Sequence, residues 1–137
     1  MLSQKNLTKE LIKQYFTFLS LKDWGSACAL VADQVLHDVN QGDRVIGNEP
    51  LLKYFVEMAR YYEEIISDLV ILVSDDGTKA SAEYYAQGRY LKTHGLLPRG
   101  YGQPYEIPRG VFFDIEGGKI SRITQYFNFQ SFLEQIK

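Results

Sequence analysis

The sequence has little of what disulfides and metal sites require. It holds one cysteine, Cys28, and two histidines, His37 and His94. A single cysteine excludes an internal disulfide and a multi-cysteine metal site, and two histidines are too few for a histidine-rich one. The chain also carries no nucleotide-binding or metal-binding motif. We therefore expect neither a metal nor another cofactor.

The chain also lacks an excess of charge of one sign and a long hydrophobic run. Its 15 basic and 17 acidic residues give a net charge of -2, whereas proteins that follow nucleic-acid phosphates are usually basic. No apolar run approaches membrane-spanning length, and Met1 to Lys5 lack the apolar stretch of a signal peptide. These features predict a cytoplasmic protein without a nucleic-acid or membrane partner.

Aromatic residues, in contrast, are abundant. Tyrosine occurs 10 times, phenylalanine 8 times and tryptophan once, which together make 14% of the 137 residues. Each tyrosine combines a large apolar ring with a hydroxyl that needs a partner when it is buried. The length fits one domain, residues 1–137, whose core is large enough to be stable without a disulfide or a structural metal. So many aromatic side chains indicate a concave binding pocket or a protein interface.

The order of predicted elements defines the fold class. Apolar spacing predicts three helices, at residues 7–21, 23–32 and 48–62, with a short strand over 35–40 between the last two. Four long strands joined as hairpins follow, over residues 64–73, 79–91, 105–115 and 119–129. A long loop over 92–104 separates the second of these strands from the third, and residues 131–137 add a final helical turn or two. This order predicts an α+β domain: a cone-shaped, curved antiparallel sheet with three N-terminal helices packed on its concave face. The open mouth of such a cone is a natural ligand site.

Four segments carry a resemblance to a known superfamily. They are 35–42 (VLHDVNQG), 74–77 (SDDG), 88–90 (GRY) and 112–120, which begins with FFDI and ends with GKI. Together with the order of elements, they resemble the nuclear transport factor 2-like (cystatin-like) superfamily. Within it, the chain is similar to SnoaL-like proteins and to bacterial ketosteroid isomerase-related proteins of unassigned activity. The resemblance covers nearly the whole chain, and it implies the scaffold and a pocket rather than one named reaction.

The resemblance also implies catalytic positions. Ketosteroid isomerases use a first-helix tyrosine as donor to the developing oxyanion and a first-strand aspartate as base, and Tyr15 and Asp38 match these places. The third acid of those enzymes falls on Gly110, and the acid of the polyketide cyclases falls on Gln125, so both acids are missing. Strand alternation groups His37 with two valines and turns Asp38 to the opposite face, unless a bulge near the turn reverses this. His37 is therefore the rival base.

Other residues are expected to form the pocket wall or the core beneath it: Trp24, Tyr54, Phe55, Met58, Tyr62, Phe112, Ile123, Gln125 and Phe127. Arg109 could present a cation to an anionic ligand, but a surface or interface salt bridge is the preferred interpretation. His94 lies in the long loop and is expected to be solvated. Tyr85 lies on the polar side of a long strand, and we expect this convex sheet face to join two copies of the chain as a homodimer.

The combined observations predict a protein that binds a small, largely apolar molecule. If the protein is an enzyme, we expect cofactor-free acid–base chemistry of an isomerase-like, lyase-like or hydrolase-like kind, such as a proton shift next to a carbonyl group. Asp38 or His37 is then the base, and Tyr15 donates to the developing oxyanion. The alternative is a non-catalytic ligand-binding, dimerisation or protein-interaction module on the same fold.

Overall fold

The computed structural model describes residues 2–137, so Met1 of the N-terminal segment considered above lies outside the described residues. Its elements in chain order are α1 (Gln4–Ser20), α2 (Trp24–Cys28), β1 (Val31–Val39), β2 (Val45–Ile46), α3 (Asn48–Tyr61), β3 (Tyr62–Val73), β4 (Lys79–Tyr90), β5 (Gln103–Glu116), β6 (Lys119–Phe127) and α4 (Phe129–Ile136). None of the helices within residues 2–137 is long and apolar enough to cross a membrane.

Capping side chains determine where the first two helices begin. Ser3 accepts a hydrogen bond from the backbone N–H of Asn6 at 3.1 Å, so α1 begins earlier than its apolar spacing predicts. Asp23 accepts from the N–H of Ser26 at 3.2 Å and starts α2. That helix ends at Cys28 instead of continuing to residue 32, because β1 already begins at Val31.

The final helical turn or two predicted at the C-terminus is the helix α4 of 8 residues, which begins at Phe129 instead of residue 131. Asn128 caps it by accepting from the N–H of Ser131 at 3.0 Å. Phe132 and Ile136 are buried, and the carbonyl oxygen of Ile136 accepts from the side-chain amide of Gln103 on β5 at 2.7 Å. This helix therefore closes one end of the sheet's inner face.

The sheet runs in the order β2-β1-β6-β5-β4-β3, and its two edge strands do not pair with each other, so it stays unclosed. The strands from β3 to β6 are antiparallel, as predicted, but β1 pairs with β6 in parallel, with Val31 opposite Ile120 and Val39 opposite Gln125. The prediction of a wholly antiparallel sheet is wrong, because β1 meets β6 through a long crossover rather than a hairpin. The two-residue strand β2 was too short for the sequence pattern to indicate.

The inner face of the sheet carries the core. Tyr84 on β4 and Phe113 on β5 both make edge-to-face contacts with Phe16 of α1, at centroid distances of 5.5 and 6.0 Å. A register shift between Ser67 and Val70 bulges β3 against β4, and such bulges bend a strand. The predicted α+β class and the curved sheet with helices on its inner face are confirmed.

Candidate functional site

A cavity of about 460 Å³ lies between the helices and the inner face of the sheet. Its wall is mainly aromatic and aliphatic, and at one side the rings of Trp24 and Phe55 stack with centroids 5.5 Å apart. The volume suits a small organic ligand. Most residues predicted for the pocket line this cavity: Trp24, Tyr54, Phe55, Met58, Tyr62, Gln125 and Phe127.

Three side chains from two strands form a polar cluster in the cavity wall: Glu64 on β3, and Tyr105 and Arg109 on β5. Strand β4 separates these two strands, and its Gly88 pairs with Glu64 on one side and with Tyr105 on the other. The Tyr105 ring covers Gly88, and its hydroxyl donates to the Glu64 carboxylate across β4. A Cβ atom at position 88 would overlap that ring, so only glycine at this position leaves room for Tyr105 to reach Glu64 across β4.

Arg109 completes the polar cluster by forming a bidentate ion pair with Glu64. Its Nη2 donates to Oε2 of Glu64 at 2.6 Å, and its Nη1 donates to Oε1. The guanidinium also lies over the ring of Phe127, 5.4 Å from the centroid. The side chains of Arg109 and Glu64 are only 13% and 23% exposed. The preferred interpretation of Arg109 as a surface or interface salt bridge is therefore wrong, since the pair is formed in the cavity wall.

The ion pair determines the charge state of the polar cluster. Burial alone would raise the pKa of Glu64, but the charge of Arg109 and the hydrogen bonds from Arg109 and Tyr105 outweigh it and hold that pKa below its ordinary value. A carboxylate held in this way is a weak base. The polar cluster thus supplies a fixed dipole to the cavity rather than a proton acceptor.

Sequence analysis missed Glu64 because the third helix was predicted to continue through residue 62. The available signal was the alternation of Tyr62, Glu64 and Ile66, all of which line the cavity. Reading β3 from its true first residue, Tyr62, would have placed Glu64 on the inner face.

Several polar side chains in the cavity wall have no hydrogen-bond partner within residues 2–137, among them Tyr54 and Gln125. The hydroxyl of Tyr54 on α3 and the side-chain amide of Gln125 on β6 line the cavity, and neither makes a hydrogen bond to another group within residues 2–137. Burial raises the pKa of Tyr54 to about 12, so its hydroxyl stays protonated and able to donate. A polar group of a bound ligand can satisfy either of them.

His94 is a further cavity residue, and the expectation that it is solvated is wrong. Its Nδ1 lies 2.8 Å from the hydroxyl of Tyr62, and its ring stacks on Tyr61 with centroids 4.4 Å apart. Its backbone N–H donates to the hydroxyl of Tyr90 at 2.8 Å. The loop after β4 is therefore fastened to the sheet, and it brings an imidazole into the cavity wall.

The structure places Asp38 outside the cavity, on the outer face of the sheet. Arg44 donates to both its carboxylate oxygens at 2.7 and 3.0 Å, and Thr124 donates to Oδ2 at 2.7 Å. These hydrogen bonds, first of all those from Arg44, lower the pKa of Asp38 to about 2. No bulge interrupts the pairing of residues 36–39 with β6, so strand alternation holds and Asp38 points outward.

His37 points inward, as the alternation favours, but it lies behind the cavity wall. It is 6% exposed, and its ring meets that of Tyr54 at a centroid distance of 4.7 Å. Burial lowers its pKa, partly offset by the charge of Asp38. His37 therefore supports Tyr54 and does not itself line the cavity.

Tyr15, Phe112 and Ile123 also lie outside the cavity lining. Tyr15 is 3% exposed and packs edge-to-face on Phe113 at 5.8 Å, so it is a core residue. Ile123 is buried in the same core, opposite His37 on β1. Phe112 is 44% exposed on the outer face, because the inner face of β5 is occupied by the residues on either side of it.

Within residues 2–137, no three or more His, Cys, Asp or Glu side chains are grouped so that they could hold a metal ion. The polar groups of the cavity include the carboxylates of Glu63 and Glu64, a guanidinium, an imidazole, an amide and tyrosine hydroxyls. This set can bind, orient and protonate an organic ligand.

Comparisons with known proteins bear on this architecture. A family model described as a SnoaL-like domain matches residues 12–123. The chain is 36% identical to a candidate polyketide cyclase from Xanthomonas campestris pv. campestris, with a TM-score of 0.96, covering 98% of this chain and 100% of that chain. It is 34% identical to another candidate polyketide cyclase, from Pseudomonas putida KT2440, with a TM-score of 0.92 and full coverage of both chains.

A more distant match concerns the fold alone. A nuclear transport factor 2-like protein from Burkholderia xenovorans LB400 is 12% identical, with a TM-score of 0.79, covering 97% of this chain and 98% of that chain. No protein of curated function matches the chain.

Proposed function

Because the chain belongs to the SnoaL-like domain family, we propose that it is a small-molecule-binding enzyme that performs cofactor-free acid–base chemistry on a largely apolar, carbonyl-containing ligand. The observation that carries the proposal is that the Tyr54 hydroxyl and the Gln125 amide stand without hydrogen-bond partners in a mainly aromatic and aliphatic cavity wall. The candidate polyketide cyclases support the carbonyl-containing class, since polyketides are rich in carbonyl groups.

The cavity wall favours a flat or ring-shaped apolar body. The stacked Trp24 and Phe55 rings and the ring of Phe127 offer π-faces, and Met58 adds an adaptable thioether. A ligand that fills this space buries most of its surface, and its polar group remains to be satisfied.

The Tyr54 hydroxyl is the donor best suited to the ligand's carbonyl oxygen. It is protonated, lies in a partly buried residue and has no other partner within residues 2–137, so it needs to break no bond to donate. As negative charge develops on that oxygen during proton abstraction, the hydrogen bond strengthens. The polar cluster keeps its own hydrogen bonds while the ligand is bound, and its oriented charges contribute a fixed electrostatic field to the cavity.

Fluorescence titration with prodan, an apolar naphthalene dye that carries a propionyl ketone, tests this proposal. We expect the dye to bind with a blue-shifted emission, because the cavity excludes water. Tyr54→Phe and Gln125→Leu each remove one hydrogen bond to the carbonyl, so each should weaken binding by about three- to tenfold.

Tyr126→Phe is the matched control, since that tyrosine is 51% exposed on the outer face. It should leave the dissociation constant unchanged. Failure of the dye to bind, or an equal effect of Tyr126→Phe, would contradict the proposal.

We further propose that two copies of the chain pair through the outer sheet face. Phe112 and Tyr126 expose 44% and 51% of their surfaces there, with ring centroids 6.0 Å apart. The neighbouring ion pair of Arg122 with Asp114, at 2.9 Å, offers charges of both signs that can pair with the opposite charges of a second copy across a two-fold axis.

Analytical ultracentrifugation should find a dimer, and Phe112→Lys should give a monomer. Leu96→Lys, on an exposed loop tip, is the control; a monomeric unmodified protein refutes this pairing.

A further inference from the structure

The loop that follows β4 fixes the orientation of one imidazole. The ring of His94 lies between a stacking partner, Tyr61, at 4.4 Å and a hydrogen-bond partner, the Tyr62 hydroxyl, at 2.8 Å. The backbone on either side is tied to the sheet, because the Tyr90 hydroxyl accepts from the N–H of His94 and donates to the carbonyl of Pro98 at 2.7 Å. These contacts fix the position of the His94 ring against the sheet.

The hydrogen-bond partner is itself fixed. The Tyr62 ring stacks on Tyr90 with centroids 5.6 Å apart and meets Phe132 of α4 at 6.0 Å. The Tyr62 hydroxyl is therefore held where it engages Nδ1 of His94. The other ring nitrogen, Nε2, has no hydrogen-bond partner within residues 2–137, and His94 lines the cavity.

We propose that His94 is the acid–base residue of this cavity and that Tyr62 is its positioning residue. The inference rests on the proposed function, and it assigns the proton transfer to a residue pair. In the reactive tautomer Nδ1–H donates to the Tyr62 oxygen, so the lone pair of Nε2 is free to act as a base.

The proton transfer needs no reactant other than His94 and the ligand. Nε2 of His94 takes a proton from a carbon next to the ligand's carbonyl group. The C–H electron pair forms the carbon–carbon double bond of an enolate, and the carbonyl π pair moves to the oxygen, where the Tyr54 hydroxyl donates. The imidazolium then returns a proton to carbon, at the same or a conjugated position, and neutral His94 is restored.

The groups around the imidazole are compatible with this role. Tyr61, Tyr62 and Tyr90 face the ring, and Arg60 lies beyond the Tyr61 ring, 5.8 Å from its centroid. Burial, the first of several causes, raises the pKa of Tyr62 well above its ordinary value, so its hydroxyl stays neutral.

Carboxylates do not compete for the imidazole. Glu63 and Glu64 line the same cavity, but within residues 2–137 no carboxylate forms an ion pair with His94. Glu64 is already held by Arg109. No neighbouring carboxylate within the described residues therefore engages Nε2 of His94.

Hydrogen–deuterium exchange of the methylene next to the prodan carbonyl tests the assignment. The dye is incubated with the full-length protein in D2O, and its mass gain is followed over time. The unmodified protein should accelerate the exchange, and His94→Gln should lower the accelerated rate by about 100-fold or more while the dye still binds. His94→Asn serves the same purpose if the glutamine variant does not fold, and Leu96→Gln on the same loop is the control that should leave exchange unchanged.

Tyr62→Phe separates positioning from simple packing. Loss of the hydroxyl frees the imidazole to adopt either tautomer, so the midpoint of the pH–rate profile for exchange should move while the dye remains bound. A purely structural role would leave that midpoint where it is.

The outcomes are distinct. Absence of dye binding overturns the proposed function, and the role of His94 with it. Dye binding without accelerated exchange, or exchange that His94→Gln does not affect, overturns the role of His94 alone.

Discussion

Removing one charge from the Glu64–Arg109 pair should destabilise the protein far more than removing an exposed charge. Both side chains are largely buried, and two direct hydrogen bonds join them. Glu64→Gln keeps the size of the side chain but leaves the Arg109 cation without its counter-ion. Arg109→Met leaves the Glu64 carboxylate with the hydrogen bond from Tyr105 but without its counter-ion.

The expected magnitude follows from burial. Breaking a fully buried ion pair by removing one partner costs about 3–5 kcal/mol, because the remaining charge is left desolvated. Glu64 is 23% exposed, so water screens part of the penalty and the lower end, about 3 kcal/mol, applies. The double variant Glu64→Leu with Arg109→Met removes both charges, and it should be destabilised by less than the sum of the single effects, with a coupling energy of about 2 kcal/mol or more.

Urea denaturation with a common m-value measures these differences as midpoint shifts, about 1–3 M for a loss of 3 kcal/mol. Glu57→Gln is the matched control, because Glu57 pairs with Arg60 at 3.2 Å on an exposed helix surface and should cost less than about 0.5 kcal/mol. Additive single and double effects, or single losses no larger than the control, would refute the role given to burial.

Gly88→Ala should lower the free energy of unfolding by about 1–3 kcal/mol, because the new Cβ displaces the Tyr105 ring. Thermal unfolding measures this loss, and an unchanged midpoint would contradict the close contact between the Tyr105 ring and residue 88. Lys22 ends α1 with a left-handed φ of 59°, so Lys22→Gly should raise the free energy of unfolding by about 1 kcal/mol; a lower midpoint in urea argues against strain. Asp38 and Asp114 both have pKa values lowered to about 2 from 3.8, so each stabilises the protein above its unfolded pKa. That contribution, about 1–2 kcal/mol each, should be lost as the pH falls from about 4 to 2, and Asp38→Asn should flatten this part of the stability–pH curve.

Local periodicity predicted much of the fold, because the elements alternate or repeat clearly along the chain. The same alternation already favoured His37 on the inner face and Asp38 on the outer face, and the structure has them there. The resemblance to ketosteroid isomerases nevertheless made Asp38 a candidate base, against the direction that alternation favoured. Alternation along β5 from Tyr105 would likewise have excluded Phe112 from the pocket.

The candidate site was less predictable, because its contacts join distant parts of the chain. Glu64 and Arg109 meet only because β4 holds the two neighbouring strands in one register and because residue 88 has no side chain. His94 enters the cavity only because the Tyr90 hydroxyl ties its loop. Neither condition leaves a periodic pattern in the sequence.

From the separation of its partners along the chain, we expect the pairing of β1 with β6 to form late in folding. Most of the sequence lies between the partners of this pairing, such as Val31 and Ile120, and closing so long a loop costs more entropy than closing a hairpin. The strands from β3 to β6 can assemble first through local turns, and β1 then docks on the edge that they offer. Until it does, β6 is an unprotected edge strand, so a chain halted at this step is the form most prone to aggregate.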